Sequence, residues 1–426
     1  HGLPVELEVE KQLGITSKDQ IEKIGVEEFN KRCRESVFKY VKEWNSMTER
    51  IAYWVDLENA YKTMDNTYVE SVWWAVKQMW DKGLVYQGYR VTPHCPRCGT
   101  TLSSHEVAQG YKEDTVDPSV YIKFKVVEDT SKKLPSDKPV YLLAWTTTPW
   151  TLPGNTALAV SPDAEYAVMQ GQDNYLILAA RLAGVTDLEG YSQVGVMPGR
   201  DLVGVRYQPL YNPHEFGVDR LKFRDDGTLA KQAPEKDLTY AVISGDFVTM
   251  DDGTGIVHVA PAFGEIDHEV GKQWKLDFVQ QVDLQGKLIG SYRFAGKFIK
   301  AADPLIMDDL KERGLLYRRG VIKHTYPFCW RCDTPLVYYA KQTWYIKTTA
   351  VKDLMIELNK QINWYPEHIK LGRFGNWLEN NVDWAFTRER YWGSPLPVWK
   401  CEKCGGMECV GTVQELKAKP GFSGLK

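Results

Sequence analysis

The sequence predicts an α/β multidomain chain in which a β-rich domain is inserted between two mixed flanks and clamped at its base by cysteine knuckles. Three observations carry this prediction. The hydrophobic period is helical from 17 to 83, becomes short strand-like runs from Val120 onward, and turns mixed again after Tyr338. One motif, Cys-x-Arg-Cys-x-Thr-x-Leu, stands at both seams of the β-rich block. The 426 residues also exceed the size at which one hydrophobic core stops growing.

Taken in order, Phe29, Cys33, Val37, Tyr40, Val41 and Trp44 recur at helical spacing and read as one buried stripe. Asn66 or Thr67 is positioned to cap a second helix through Val69, Val72, Trp73, Val76, Met79 and Trp80, which Gly83 stops. These stripes are core. From Val120, runs rich in Val, Ile, Leu and Tyr are separated by turn clusters such as Asp225-Asp226-Gly227 and Asp251-Asp252-Gly253. A helix is expected around Val351 to Lys360.

Composition limits function without naming it. Hydrophobic residues make up 43% and charged residues 26%, and no apolar run approaches a membrane helix, so no membrane partner is expected. With 53 basic against 56 acidic residues the net charge is -3, which lacks the basic field of a general nucleic-acid binder. Any nucleic acid must meet a local surface. The opening His1-Gly-Leu-Pro has neither an initiator Met nor signal-peptide character, so the chain reads as part of something longer and the compartment as reducing and cytoplasmic.

Six of the eight cysteines form three Cys-x-x-Cys pairs. Cys95 and Cys98, and Cys329 and Cys332, each offer two thiolates at a tight turn, and a tetrahedral Zn²⁺ needs four ligands. A shared metal would pin the ends of the β-rich block together. His94 and His105 are alternative ligands, and a closed four-thiolate site is structural because no position remains for water. Cys401 and Cys404 form a third knuckle, with Cys409 a further candidate ligand and no evident fourth. It reads as a truncated site.

Two segments carry candidate chemistry. In Trp145-Thr-Thr-Thr-Pro-Trp-Thr-Leu-Pro-Gly-Asn155 an apolar strand runs into a hydroxyl cluster: Thr146, Thr147, Thr148 and Thr151. Threonine hydroxyls both donate and accept, so they can orient a water and a sugar hydroxyl together. The second is Gly253-Thr-Gly-Ile-Val-His-Val-Ala-Pro-Ala-Phe-Gly-Glu-Ile-Asp267. Gly253 and Gly255 suit a turn, and Ile256 to Ala260 a buried strand carrying His258. Asp267 precedes a helical stretch, where it either caps the helix or offers a carboxylate to a substrate ammonium. Spacing does not decide between these roles.

These two segments, with His1-Gly-Leu-Pro-Val-Glu6 and Asn376-Trp-Leu-Glu-Asn-Asn-Val-Asp-Trp-Ala-Phe-Thr-Arg-Glu-Arg-Tyr-Trp-Gly393, resemble the isoleucyl-tRNA synthetases, class I enzymes, from one end of the chain to the other. Sister enzymes for valine and leucine carry Thr-Thr-Arg-Pro where this chain has Thr147-Thr148-Pro149 directly after Thr146.

The resemblance implies a Rossmann-type catalytic core interrupted by a β-rich editing (CP1) domain on a zinc-knuckle stalk. It places a partial core and the first knuckle at 1–117, the editing domain at 118–324, and the second knuckle, the return to the core and the third knuckle at 325–426. It implies a monomer acting on tRNA(Ile), hydrolysing tRNA mischarged with valine. Asp267 would hold the valyl ammonium, His258 would shape the side-chain pocket, the Thr cluster would hold the terminal adenosine and the hydrolytic water, and Trp145 and Trp150 would line the substrate. The family usually has another acid just before the aspartate, where this chain has Ile266. The His-x-Gly-His signature would lie before His1 and the Lys-Met-Ser-Lys-Ser loop is nowhere in the chain, so ATP and Mg²⁺ belong to the full-length parent and no aminoacyl adenylate is expected here. Direct attack by water is expected, since no Ser/His/Asp or Cys/His nucleophile is identifiable. The rival expectations are a non-catalytic zinc-ribbon fragment docking tRNA through residues such as Arg388 and Arg390, and a Thr-dependent hydrolase forming a covalent adduct.

Overall fold

The computed structural model describes residues 2–423, so His1 of the opening motif lies outside the described residues. The chain divides into two compact units, 1–88 with 342–426, and 89–341. The second contains the whole 118–324 span and extends on both sides to take in the first two cysteine pairs.

Ten strands of the 89–341 unit form one sheet: β1 (Tyr111–Glu128), β2 (Val140–Thr146), β3 (Ala157–Val160), β4 (Glu165–Gln170), β5 (Tyr175–Ala179), β6 (Ser192–Pro198), β7 (Arg206–Tyr207), β8 (Tyr240–Ser244), β9 (Ile256–Val259) and β10 (Leu316–Pro327). Their order is β10-β1-β7-β8-β3-β9-β2-β5-β4-β6, and β1 also pairs with β2. That added pairing closes β1, β7, β8, β3, β9 and β2 into a ring, so this part of the sheet has no free edge. Short all-apolar strands such as Ala157–Val160 and Tyr175–Ala179 are buried at every residue, as a core sequence without alternation requires. The interior is filled by Phe124, Leu142, Leu158, Val160, Tyr207, Val242 and Ile256, all at most 1% exposed. The two longest helices of this unit are α1 (Glu265–Gln273) and α2 (Ile299–Glu312). Positive φ at Gly227 and Gly253 bears out the two Asp-Asp-Gly turns.

In the other unit, the second expected helix runs Asn66–Asp81, buries Trp73 and Val76, and ends before Gly83 at φ 68; its N-cap is Asp65 rather than Asn66 or Thr67. The helix expected near 351–360 is Lys352–Gln361. The first stripe is not one helix. It splits into Val26–Phe38 and Val41–Arg50; Phe29 and Cys33 are buried, whereas Tyr40 and Trp44 are 55% and 62% exposed. The break at Lys39–Tyr40 resets the helical phase, so a continuous spacing in sequence does not stay on one face. The opening and closing motifs meet in this unit: fully buried Glu6 accepts from the amides of Tyr391 (2.7 Å) and Trp392 (3.0 Å) and pairs with Lys18 (3.1 Å) and Arg390 (3.7 Å). Arg390 is therefore committed to a structural ion pair.

Among the described residues, no helix is long and apolar enough to cross a membrane.

Candidate editing site and cysteine cluster

β2 and β9 run parallel, with Trp145 level with Val257, so both strands end on the same side of the sheet. The threonine cluster begins at Thr146, the last residue of β2, and Asp267 follows β9, which puts both candidate segments at one sheet end. After β2 the chain turns through a 3₁₀ helix, Pro149–Gly154. Pro149 suits its first position because the missing N–H has no intrahelical partner there. The turn folds the hydroxyls onto each other: Thr146 Oγ1 lies 3.2 Å from Thr148 Oγ1, which lies 3.2 Å from Thr151 Oγ1. The Thr147 side chain has no hydrogen bond in this series, although the residue is only partly buried.

His258 anchors the chain of hydroxyls. The Tyr207 hydroxyl donates to Asn155 Oδ1 (2.7 Å), which turns the Asn155 amide nitrogen toward His258 Nδ1 (3.0 Å) and the Ala157 carbonyl (2.8 Å). Nδ1 therefore accepts, Nε2 carries the proton, and Nε2–H donates to Thr151 Oγ1 at 2.8 Å. Thr151 in turn donates to the Thr148 carbonyl (2.8 Å). Burial holds the imidazole well below its ordinary range, at about 4, so it is neutral at physiological pH. With Nδ1 occupied and Nε2 protonated, His258 has no lone pair left for taking a proton; its role is to fix Thr151. Asn155 closes the sequence motif, and only the fold reveals its place between Tyr207 and His258.

Asp267 lies in the first turn of α1, whose N-cap is Gly264. Its Oδ2 accepts from the Ala260 amide at 2.8 Å, tying the loop after β9 to the helix. A Cβ at Gly264 would stand 2.6 Å from Asp267 Cγ, so glycine is needed for the carboxyl to fold over this turn. Burial raises the carboxyl to about 6. One oxygen is engaged structurally, and among the described residues no side-chain cation pairs with the group. Ile266 beside it is 57% exposed.

Trp145 packs its ring on Gly253, where a Cβ would come within 2.9 Å. Trp150 differs from the expected substrate contact: it is 3% exposed, edge-on to Phe263 at 5.1 Å, and belongs to the core because the 3₁₀ turn directs its ring inward.

Cys95, Cys98, Cys329 and Cys332 come together, with all four sulfurs within 4.8 Å of one another. Cys332 Sγ is 3.5 Å from Cys95 Sγ and 3.6 Å from Cys98 Sγ. Zn–S bonds of ~2.3 Å in a tetrahedron require sulfurs ~3.8 Å apart, so the set fits zinc. The knuckles repeat in backbone as in sequence: the residue after each pair, Gly99 or Asp333, stands at φ 62 and donates its amide to the first cysteine's carbonyl, Gly99 to Cys95 (2.9 Å) and Asp333 to Cys329 (2.8 Å). Hydrogen bonds from Cys329, Cys95 and Cys98 hold the Cys332 thiol far below its ordinary range. His94 instead bonds the Leu284 carbonyl (2.9 Å) and is not a ligand. The third knuckle gains no such set among the described residues. Cys401 and Cys404 are exposed beyond the hairpin Val398–Lys400/Met407–Cys409, while Cys409, opposite Val398, is turned inward at 4% exposure.

Residues 1–422 match the family model described as tRNA synthetases class I (I, L, M and V), and the chain belongs to that family. Within it, the chain is 62% identical over 434 residues to the isoleucine–tRNA ligase of Dehalococcoides mccartyi, covering 100% of this chain and 42% of the relative. It is 51% identical over 419 residues to that of Thermus thermophilus, covering 98% of this chain and 38% of the relative. The chain thus spans less than half the length of these relatives. Among solved structures, it is similar to the P. knowlesi cytosolic leucyl-tRNA synthetase editing domain, with 13% identity, TM-score 0.35, and coverage of 51% of this chain and 99% of that one. That likeness is too remote to carry a functional assignment.

Proposed function

We propose that this chain is the editing part of an isoleucine-specific synthetase, and that residues 118–324 hydrolyse valyl-tRNA(Ile). One observation carries the reading: the hydroxyl chain of Thr146, Thr148 and Thr151 and the carboxylate of Asp267 stand at the same end of the parallel pair β2 and β9. Asp267 Oδ1 would receive the valyl ammonium, a charge-assisted contact. The threonine hydroxyls, with Thr147, would hold the terminal ribose and a water against the ester carbonyl. His258, bonded at both nitrogens, gives the pocket a wall that does not yield to one more methylene. That methylene is worth only about 1–3 kcal/mol in a binding pocket, a magnitude whose worked example is this enzyme family, so a second sieve supplies discrimination the first cannot. Because His258 offers no free lone pair, attack relies on orientation of the water and polarisation of an already activated ester.

In this reading Cys95, Cys98, Cys329 and Cys332 hold a structural Zn²⁺ that clamps the base of the domain. Attachment of isoleucine to tRNA(Ile), with ATP and Mg²⁺, belongs to the longer cytoplasmic protein. The test is single-turnover deacylation of valyl-tRNA(Ile) by the chain and by Asp267→Ala; equal rates for the two would remove Asp267 from the mechanism.

A further inference from the structure

Two buried side chains outside both sequence motifs grip the turn that presents Thr151. The Trp150 amide donates to Asp303 Oδ1 at 2.8 Å, and the Trp150 carbonyl accepts from Gln281 Nε2 at 3.2 Å. Asp303 comes from α2 and is 2% exposed; Gln281 follows the strand Asp277–Val279 and is 0% exposed. The Gln281 amide lies flat on Gly154, where a Cβ would meet its Oε1 at 2.5 Å, so the last residue of the turn is shaped to admit it.

A buried carboxylate is costly unless paired, and the hydrogen bond found for Asp303 is to a single neutral backbone N–H. Lys300, whose charge favours ionised Asp303, bonds its ammonium to Asp117 at 2.7 Å instead, and His324 Nε2 bonds the same Asp117 carboxylate at 2.9 Å. Gln281 leaves its Oε1 without a partner. What the two groups do achieve is geometric. They fix the peptide groups on either side of the Trp150 Cα, between Thr148 and Thr151, whose hydroxyls must meet at 3.2 Å while Thr151 stays 2.8 Å from His258 Nε2. Rotation of either peptide would break that chain.

We propose that Asp303 and Gln281 are positioning residues for deacylation, a clamp on the Trp150 backbone that sets the Thr148–Thr151 hydroxyl geometry. The inference rests on the editing reading for its kinetic readout, and on structure alone for its spectroscopic one.

The experiment compares the chain with Asp303→Leu, Asp303→Asn and Gln281→Met. Asparagine keeps an acceptor facing the Trp150 amide, whereas leucine and methionine fill the volume without the bond. Misplacement near 1 Å costs about 100-fold in rate, so Asp303→Leu and Gln281→Met should lower kcat for valyl-tRNA(Ile) deacylation by about 10- to 100-fold with KM within about 2-fold, and Asp303→Asn should recover most of it. In ¹⁵N-edited spectra the His258 Nε2–H signal should shift or exchange faster in the first two variants and stay in place in the third. Should Asp303→Leu not fold, Gln281→Met decides alone. Folded variants with unchanged kcat and an unchanged His258 signal would overturn the clamp. If the parent chain itself does not deacylate valyl-tRNA(Ile), the editing reading fails, and the His258 signal alone still decides the clamp.

Discussion

Thr151→Val removes one hydroxyl from the centre of the site while keeping its shape. The residue is 6% exposed, and its oxygen accepts from His258 Nε2–H and donates to the Thr148 carbonyl, each at 2.8 Å. The Thr148 carbonyl keeps a second partner, the Thr151 amide at 3.0 Å, so it is not orphaned. The imidazole N–H is: buried at 8% exposure, it faces a methyl group in place of its acceptor. An unsatisfied buried donor costs about 1–3 kcal/mol, so Thr151→Val should destabilise the fold by about 2 kcal/mol in urea unfolding. Removing both partners is milder than removing one, because no donor is left stranded. His258→Leu combined with Thr151→Val should therefore cost about 1 kcal/mol less than the sum of the single changes. The loss of the Asn155 contact is common to both arms of this cycle and cancels. Additivity within about 0.3 kcal/mol would refute the His258–Thr151 hydrogen bond and with it the role of His258 as the anchor of Thr151.

Gly264→Ala forces a Cβ against the Asp267 carboxyl, so deacylation should fall at least about 10-fold while the fold survives; an unchanged rate in a kinetic assay would show that the carboxyl need not lie over this turn. The raised Asp267 carboxyl, at about 6, gives kcat/KM for deacylation an acid limb near pH 6, with activity lost below it and the limb absent in Asp267→Asn. Its effect on stability has the opposite sense. The folded value lies above the ordinary 3.8, so this group's contribution is full below that pH and is lost as pH rises through about 6. His258 acts in the other direction: lowered from 6.5 to about 4, it contributes about 3 kcal/mol above pH 6.5 that disappears on acidification through 4, visible as a steeper acid loss of stability than in His258→Leu. Zinc analysis should find one ion per chain, and chelation or Cys332→Ser should lower the unfolding midpoint by about 5 °C or more; a metal-free chain indifferent to chelator would remove the clamp from the stalk.

Local patterns were legible before the fold was known. The two cysteine knuckles declare themselves because a Cys-x-x-Cys turn is a short-range feature, and their repetition at Cys95/Cys98 and Cys329/Cys332 anticipates a shared cluster. Thr146 to Thr151, His258 and Asp267 likewise stand out as residue types unusual for their setting. What escaped was long-range. The pairing of β1 with β2 that closes the ring has no signature in either strand. Asp303 and Gln281 sit in unremarkable contexts and meet Trp150 only through tertiary packing. Tyr40 and Trp44 keep helical spacing with Phe29 and Cys33 across the break at Lys39 yet lie exposed, and Cys409, a further candidate ligand by spacing, is set opposite Val398 by a hairpin register that spacing does not encode.

The most direct measurement is a side-by-side deacylation of tRNA(Ile) carrying valine and tRNA(Ile) carrying isoleucine by this chain. A cavity bounded by His258 and gripping the amine through Asp267 predicts release of valine at least about 100-fold faster than of isoleucine. Comparable rates for the two esters would contradict it.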